Sequence, residues 1–286
     1  MSRILVIVVT YNGMQWIERC LSSVSGTDVF VFDNASTDGT PDYIEEHFPQ
    51  VHLVRSHKNL DFAGGNNAGF KYALERDYEA VYLLNQDAWL LPGGLDTMMS
   101  LLDAHPEYGL LSPMQMDADL QNCNLGFKRD ILPTAKASDL CDAILDVPYV
   151  FAAHWIISRK CLETVGLFAS LFPHYGNDDN FCHRALYHGF RIGLAKDVQA
   201  VHDHKPGQKK QEQIIYQNYV MSAIVRLCDI RRPYWTEVLR LIPFALVKTV
   251  KYKSLRPLQR FPEICRALPQ TRRTRKLTRI AGVKEV

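Results

Sequence analysis

The residues best placed to do chemistry sit where apolar runs stop. Val81-Tyr82-Leu83-Leu84 fits a strand buried on both faces, and it ends in Asn85-Gln86-Asp87. In an open α/β sheet, ligands lie just beyond the carboxyl ends of the strands. A carboxylate there can hold a hard divalent cation through oxygen, and the cation can hold phosphate. The plainer role for Asp87 is to cap the turn into Pro92-Gly93-Gly94. Two other runs stop in the same way. Ile4-Leu5-Val6-Ile7-Val8-Val9 leads into Thr10-Tyr11-Asn12, and Val29-Phe30-Val31-Phe32 leads into Asp33-Asn34. Asp33 can accept from a nucleoside base or ribose hydroxyl, and Tyr11 offers a face for stacking. Gly64-Gly65-Asn66-Asn67 permits close backbone approach, and a helix N-terminus behind it favours phosphate. That stretch is neither a dinucleotide fingerprint nor a Walker loop, and it serves equally as an ordinary loop with an Asn cap. His202 follows the apolar run 198–201 and reads equally as a metal ligand or a structural histidine.

These residues need a scaffold that brings strand ends together. The strands at 4–9, 29–32, 51–54 and 81–84 alternate with helical spacing. Met14, Ile17, Cys20, Leu21 and Val24 mark the first helix. Thr40 as N-cap with Pro41 at the first helical position marks the second. A third helix follows the Phe62–Gly69 stretch and runs to Leu74, and a fourth spans 93–104. This rhythm predicts a doubly wound α/β domain with a mostly parallel sheet, whose strand ends converge along one edge. A short strand at 109–111 precedes an irregular passage at 114–147, of the kind that is functional or mobile. A strand at 149–157, a helix at 178–188 and strands at 192–194 and 198–201 complete the domain. Helices at 212–228 and 235–252 follow, and the basic run Arg272-Arg273-Thr274-Arg275-Lys276 is read as a tail. The division predicted is a catalytic domain at 1–207, with halves at 1–112 and 113–207, and a helical basic region at 208–286.

The composition, 47% hydrophobic and 22% charged over 286 residues, is that of a globular chain with room for a large core. A net charge of +2 conceals a division. From Lys205 onward there are 19 Lys and Arg against 5 Asp and Glu, whereas residues 1–204 carry 14 against 26. An acidic body with a basic appendage points to an anionic partner for the appendage, or to a solvated helical face. The seven cysteines are scattered with no C-x-x-C, which argues against a disulfide framework or zinc site and for a reducing cytoplasm. The apolar run at 4–9 is too short for a signal peptide, and 241–247 is too short to span a bilayer. The basic run lacks interleaved aromatics or a recognition motif, so no nucleic-acid partner is expected. Trp235, Leu239, Ile242, Leu246, Val247 and Val250 recur at helical spacing among Arg240, Lys248 and Lys251. That face either lies on an anionic membrane or packs on the catalytic domain.

Three stretches together resemble the family 2 glycosyltransferases of GT-A fold. They are Val9-Thr10-Tyr11-Asn12-Gly13, Asp33-Asn34-Ala35-Ser36-Thr37-Asp38-Gly39-Thr40, and Asn59-Leu60-Asp61-Phe62-Ala63-Gly64-Gly65-Asn66-Asn67-Ala68-Gly69. More narrowly they are similar to the bacterial rhamnosyltransferase-like branch that builds surface polysaccharides, over roughly 3–205. The resemblance implies a nucleotide-diphosphate sugar donor, a divalent metal (Mg or Mn), transfer with inversion, and a glycan or lipid-linked glycan acceptor. It places the nucleotide sugar against Thr10, Tyr11, Asn12, Asp33, Gly65, Asn67 and Asn85, and the metal on Asp87 and His202. Asn85-Gln86-Asp87 keeps only the last carboxylate of the family's D-x-D motif. Tyr175-Gly176-Asn177-Asp178-Asp179-Asn180-Phe181-Cys182-His183-Arg184 falls on the acceptor-side signature, with two acidic positions replaced by Asn and Asp178 where the base lies. Asp61 stands where the family has glycine. A cytoplasmic enzyme on the inner face of the membrane follows. The rival readings are a sugar nucleotidyltransferase, which would release pyrophosphate, and a non-catalytic assembly partner.

Overall fold

The computed structural model describes residues 3–172, 175–203 and 211–282. The first half alternates as expected: β1 (Ile4–Thr10), α1 (Ile17–Ser22), β2 (Asp28–Asp33), α2 (Thr40–His47), β3 (His52–Arg55), α3 (Asp61–Leu74) and β4 (Ala80–Asn85). Then come β5 (Ala88–Leu90), α4 (Gly94–Ala104) and β6 (Tyr108–Met116). The stretch read as irregular holds α5 (Leu125–Asp130), β7 (Lys136–Ala137) and β8 (Ile144–Asp146). β9 (His154–Ser158), α6 (Arg159–Val165), α7 (Asn177–Tyr187) and β10 (Arg191–His202) close the body. The C-terminal region is α8 (Gln211–Cys228), α9 (Tyr234–Leu239), α10 (Leu241–Tyr252) and α11 (Arg256–Thr278).

Among the described residues, one sheet runs in the order β3-β2-β1-β4-β9-β6-β10-β8-β7, with β5 paired to β10. β3, β2, β1 and β4 are mutually parallel. β9 is antiparallel to both β4 and β6, and β10 is parallel to β6, so β6 and β10 point the same way as β4. One reversed strand therefore sits between two parallel sets, and all the forward strands end on one edge. Along β1 the side chains alternate between two cores: Leu5 and Ile7 on one face, Val6 and Val8 on the other. Both faces are covered by helices, so these strands read as continuous apolar runs.

Four differences from the sequence reading have physical causes. The Gly64-Gly65-Asn66-Asn67 stretch is not a loop but the body of α3. A Cβ on Gly65 would collide with Val9 and Phe32, and one on Gly69 with Ile7, so these glycines let the helix lie close on the sheet. The two short strands near 192 and 198 are a single β10 with a register shift between Ala195 and Gln199. The predicted helix at 235–252 is two helices that meet at Arg240. The basic run at 272–276 is no tail: it lies within α11, where Arg275 is buried and bonds the carbonyls of Leu227, Asp229 and Arg232. A third apolar core, from α8, α10 and α11, includes Ala169 and Phe172 of the body.

Candidate active site

The three polar strand ends converge as the parallel register requires. Thr10 stands beside Asp33 and Val9 beside Asn85. Thr10 and Asp33 are both buried; the Thr10 hydroxyl donates to Asp33 Oδ1 at 2.9 Å, and the Ser36 amide donates to Oδ2 at 3.0 Å. They shape the floor of the site, and Tyr11 beside them is half-exposed at 50%. The loop after β1 is pinned from below. Asn12, at φ 50, takes the left-handed region that Asn tolerates. Its amide donates to Ser36 Oγ (2.9 Å), Gly13 donates to Thr40 Oγ1 (3.0 Å) and Met14 to Asp38 Oδ2 (3.1 Å). The Asp33–Thr40 motif thus works mainly as the scaffold of this loop.

Gln86, which sequence reasoning left without a role, bridges the two strand ends. Its Oε1 accepts from the Tyr11 amide at 2.9 Å and its Nε2 donates to the Tyr11 carbonyl at 3.2 Å. A Cβ on Gly13 would strike this side chain, which accounts for glycine there. Gly65 and Asn67 lie elsewhere. Gly65 is at the helix–sheet contact. Asn67 exchanges two bonds with the Phe168 backbone and lines a groove with Lys71 and Arg273 beside α11.

Asp87 and His202 meet. The ends of β5 and β10 pair His202 with Ala88, which sets His202 Nε2 3.6 Å from Asp87 Oδ1, both side chains largely buried. A carboxylate oxygen and an imidazole nitrogen are both ligand types that would suit a divalent cation. Among the described residues no third His, Cys, Asp or Glu joins them. Behind this pair lies His154, a buried residue that motif reading missed. A carbonyl only accepts, so Nε2 donates to Val201 (2.9 Å), and Nδ1 accepts from the Tyr82 hydroxyl (3.0 Å). Burial depresses its pKa to about 3, so it remains neutral and fixes the end of β10 next to His202.

The acceptor-side carboxylates are tied to the same edge. The Asn85 amide donates to the Ala153 carbonyl at 3.1 Å. One residue earlier, the Ala152 amide bonds Asp178. Asp178 also accepts from the Tyr149 hydroxyl at 3.4 Å and from the Asp179 amide at 3.1 Å. Its own backbone amide is a fourth donor, and all four favour the ionised carboxylate. Burial raises the pKa of Asp178; burial and the Asp178 charge raise Asp179 to about 7. Burial, then the two carboxylates, keep the Tyr149 hydroxyl protonated and donating. Asn177 and Asn180 are buried, and neither side-chain amide has a hydrogen-bond partner among the described residues. Arg184 is fully buried and holds the Val165 and Leu167 carbonyls, both at 2.8 Å.

Residues 5–121 match the model of glycosyl transferase family 2. The match covers that segment alone, less than half of the chain. The low-salt glycan biosynthesis hexosyltransferase Agl10 of Haloferax volcanii is 26% identical over 227 residues, 75% of this chain and 71% of that one. The N-acetylglucosaminyl-diphospho-decaprenol L-rhamnosyltransferase of Mycobacterium tuberculosis is 30% identical over 127 residues, and the match spans 41% of its length. The mannosyltransferase PcManGT of Pyrobaculum calidifontis, solved with GDP-mannose and Mn2+, superposes with a TM-score of 0.63 over 96% of this chain and 84% of that one, at 20% identity. The chain therefore has the GT-A fold, with β9 reversed between two parallel sets and a helical C-terminal region.

Proposed function

We propose that this glycosyltransferase moves a hexosyl or deoxyhexosyl group from a nucleotide-diphosphate sugar to a hydroxyl of a glycan or lipid-linked glycan, with inversion. The observation that carries the reading is the placement of two kinds of group on one edge. Asp87 and His202 lie 3.6 Å apart, and Asp178 is tied through Ala152 and Ala153 to β4, whose end leads into Asp87. Rhamnose is the first donor sugar to test, given the similarity to an L-rhamnosyltransferase. The work is cytoplasmic.

Asp178 takes the proton from the acceptor hydroxyl while that oxygen bonds the anomeric carbon. The bond from that carbon to the diphosphate breaks, and its electron pair leaves with the phosphate oxygen. A cation on Asp87 and His202 would supply charge stabilisation to the departing diphosphate. Tyr11 holds the nucleoside by stacking, and Gln86 keeps Tyr11 in register with Asn85 and Asp87.

The test is product analysis with purified chain, nucleotide sugar and acceptor. Nucleoside diphosphate is the expected product; pyrophosphate would instead mark a nucleotidyltransferase, and no turnover with any acceptor a non-catalytic partner. Asp87→Ala should keep the fold and lose transfer, and His202→Ala should weaken metal use more mildly. Full activity in chelator, with metal content shown to be nil, sinks the metal assignment. His204, the neighbouring histidine, lies outside the described residues.

A further inference from the structure

Helix α10 is apolar on both sides. Its inner face, Leu241 and Ala245, is buried in the third core with Ile264 of α11. Its outer face carries Ile242, Leu246, Val247 and Val250, exposed at 63%, 51%, 62% and 78%. Trp235 (64%) and Leu239 (77%) of α9 extend that surface. A helix that is apolar all round ordinarily lies within a core. Here half of that condition is unmet in water. A contiguous apolar surface of this kind marks a contact site. At 12 residues, α10 is too short to cross a bilayer, and no described helix is long and apolar enough to do so.

The charges around this face decide what covers it. Between Val238 and Pro262 the chain holds six Lys and Arg and no Asp or Glu. The acids nearest in sequence are all paired, Glu263 with Arg260 at the surface and the other two inside. Glu237 is buried and paired with Arg226 and Arg240; Asp229 is buried and paired with Arg231 and Arg232. Lys251, Lys253 and Arg256 stand exposed beside the apolar stripe. Arg272 lies over the Trp235 ring, 5.9 Å from its centroid, at the rim of the surface. A second copy of this chain docked by two-fold symmetry would set one cationic rim against another, at a repulsive cost. An apolar floor with a cationic margin and an amphipathic tryptophan complements an anionic bilayer, with acyl chains below and phosphates at the rim.

We propose that the α9–α10 surface docks this enzyme on an anionic lipid bilayer, lying in the interface without crossing it. The surface is separate from the residues of the proposed reaction. Lipid binding and sugar transfer can therefore fail independently.

The full chain is sedimented with vesicles of phosphatidylcholine alone or of phosphatidylcholine mixed with phosphatidylglycerol. Binding to the mixed vesicles at low salt is expected, weaker by about tenfold or more on neutral vesicles or in high salt. Leu246→Ser with Val250→Ser, both exposed and outside the core, should remove binding while leaving the unfolding midpoint and transfer to a water-soluble acceptor unchanged. Lys251→Glu with Lys253→Glu should remove the preference for anionic lipid. No sedimentation with either vesicle, or unchanged binding by both double variants, overturns the proposal. So does light scattering that shows a dimer abolished by Leu246→Ser with Val250→Ser, because a second copy then covers the face.

Discussion

Asp178 and Asp179 are adjacent at the start of α7, and two half-buried carboxylates so close do not both ionise readily. The pair holds a proton well above the ordinary carboxylate range, with Asp179 near 7. A base works only once its proton is gone, so kcat/KM should climb along an acid limb above the ordinary carboxylate range. Asp179→Asn removes the like charge beside Asp178 and should move that limb to lower pH with transfer retained. An unmoved limb would place the titrating group elsewhere. Asp178→Asn should lose transfer on the order of a hundredfold or more while still binding donor. If instead Asp179→Asn is the dead variant, the two roles are exchanged. The same shift acts on stability. Between about pH 4 and the raised value, the folded chain binds a proton that the unfolded chain has lost, so the pair's contribution falls as pH rises. In the sequence, Thr10, Asp33 and Asp87 were legible as strand-end polar groups. The inward turn of Thr10 and Asp33 was not, because their partners, each other and Ser36, come from different strands and loops.

Among the elements, apolar runs revealed β1, β2 and β4 and helical spacing revealed α7. Tertiary contacts govern the rest. Nothing in Gly64-Gly65-Asn66-Asn67 favours a helix; α3 holds because Val9, Phe32 and Ile7 leave no room for a Cβ at Gly65 and Gly69. Two internal prolines, Pro262 and Pro269, hide α11 from propensity reading. The role of Asp61 is likewise a matter of backbone. It opens α3 at φ 58, with its amide bonded to Asn59 Oδ1 at 2.7 Å and its carbonyl to Asn34 Nδ2 at 3.1 Å. That conformation suits glycine, is tolerated by Asp, and is hostile to β-branched side chains. Asp61→Val should destabilise by about 1–2 kcal/mol in urea unfolding, whereas Asp61→Gly should be close to neutral. Equal midpoints for the two variants would dismiss the backbone explanation.

Across the molecule, the division between an acidic body and a basic C-terminal region is partly turned inward. Arg275 spends its charge on carbonyls at the end of α8, and the Gly282 amide reaches the Thr164 carbonyl at 2.9 Å beyond α6. The Gly282 bond, with Ala169 and Phe172 in the third core, fastens the helical region to the body. Arg275→Met keeps much of the bulk and strands three backbone acceptors, so it should cost about 2–4 kcal/mol in denaturant unfolding. An unchanged midpoint would mean that the third core alone secures α11.

The position of β9 has a consequence for how the chain is made. β4 is complete at Asn85, but the strand that covers its open edge ends only at Ser158, about 70 residues later. At roughly 5–20 residues per second, a ribosome leaves that edge bare for on the order of 4–14 s. The bare edge belongs to a strand whose residues 80–84 are all buried in the folded chain, and an unpaired strand of that kind invites pairing with another chain. The stretch that carries the family match, 5–121, ends within this interval. It is a unit of descent, not of folding, and the nascent enzyme is exposed to misassembly until β9 slides in between β4 and β6.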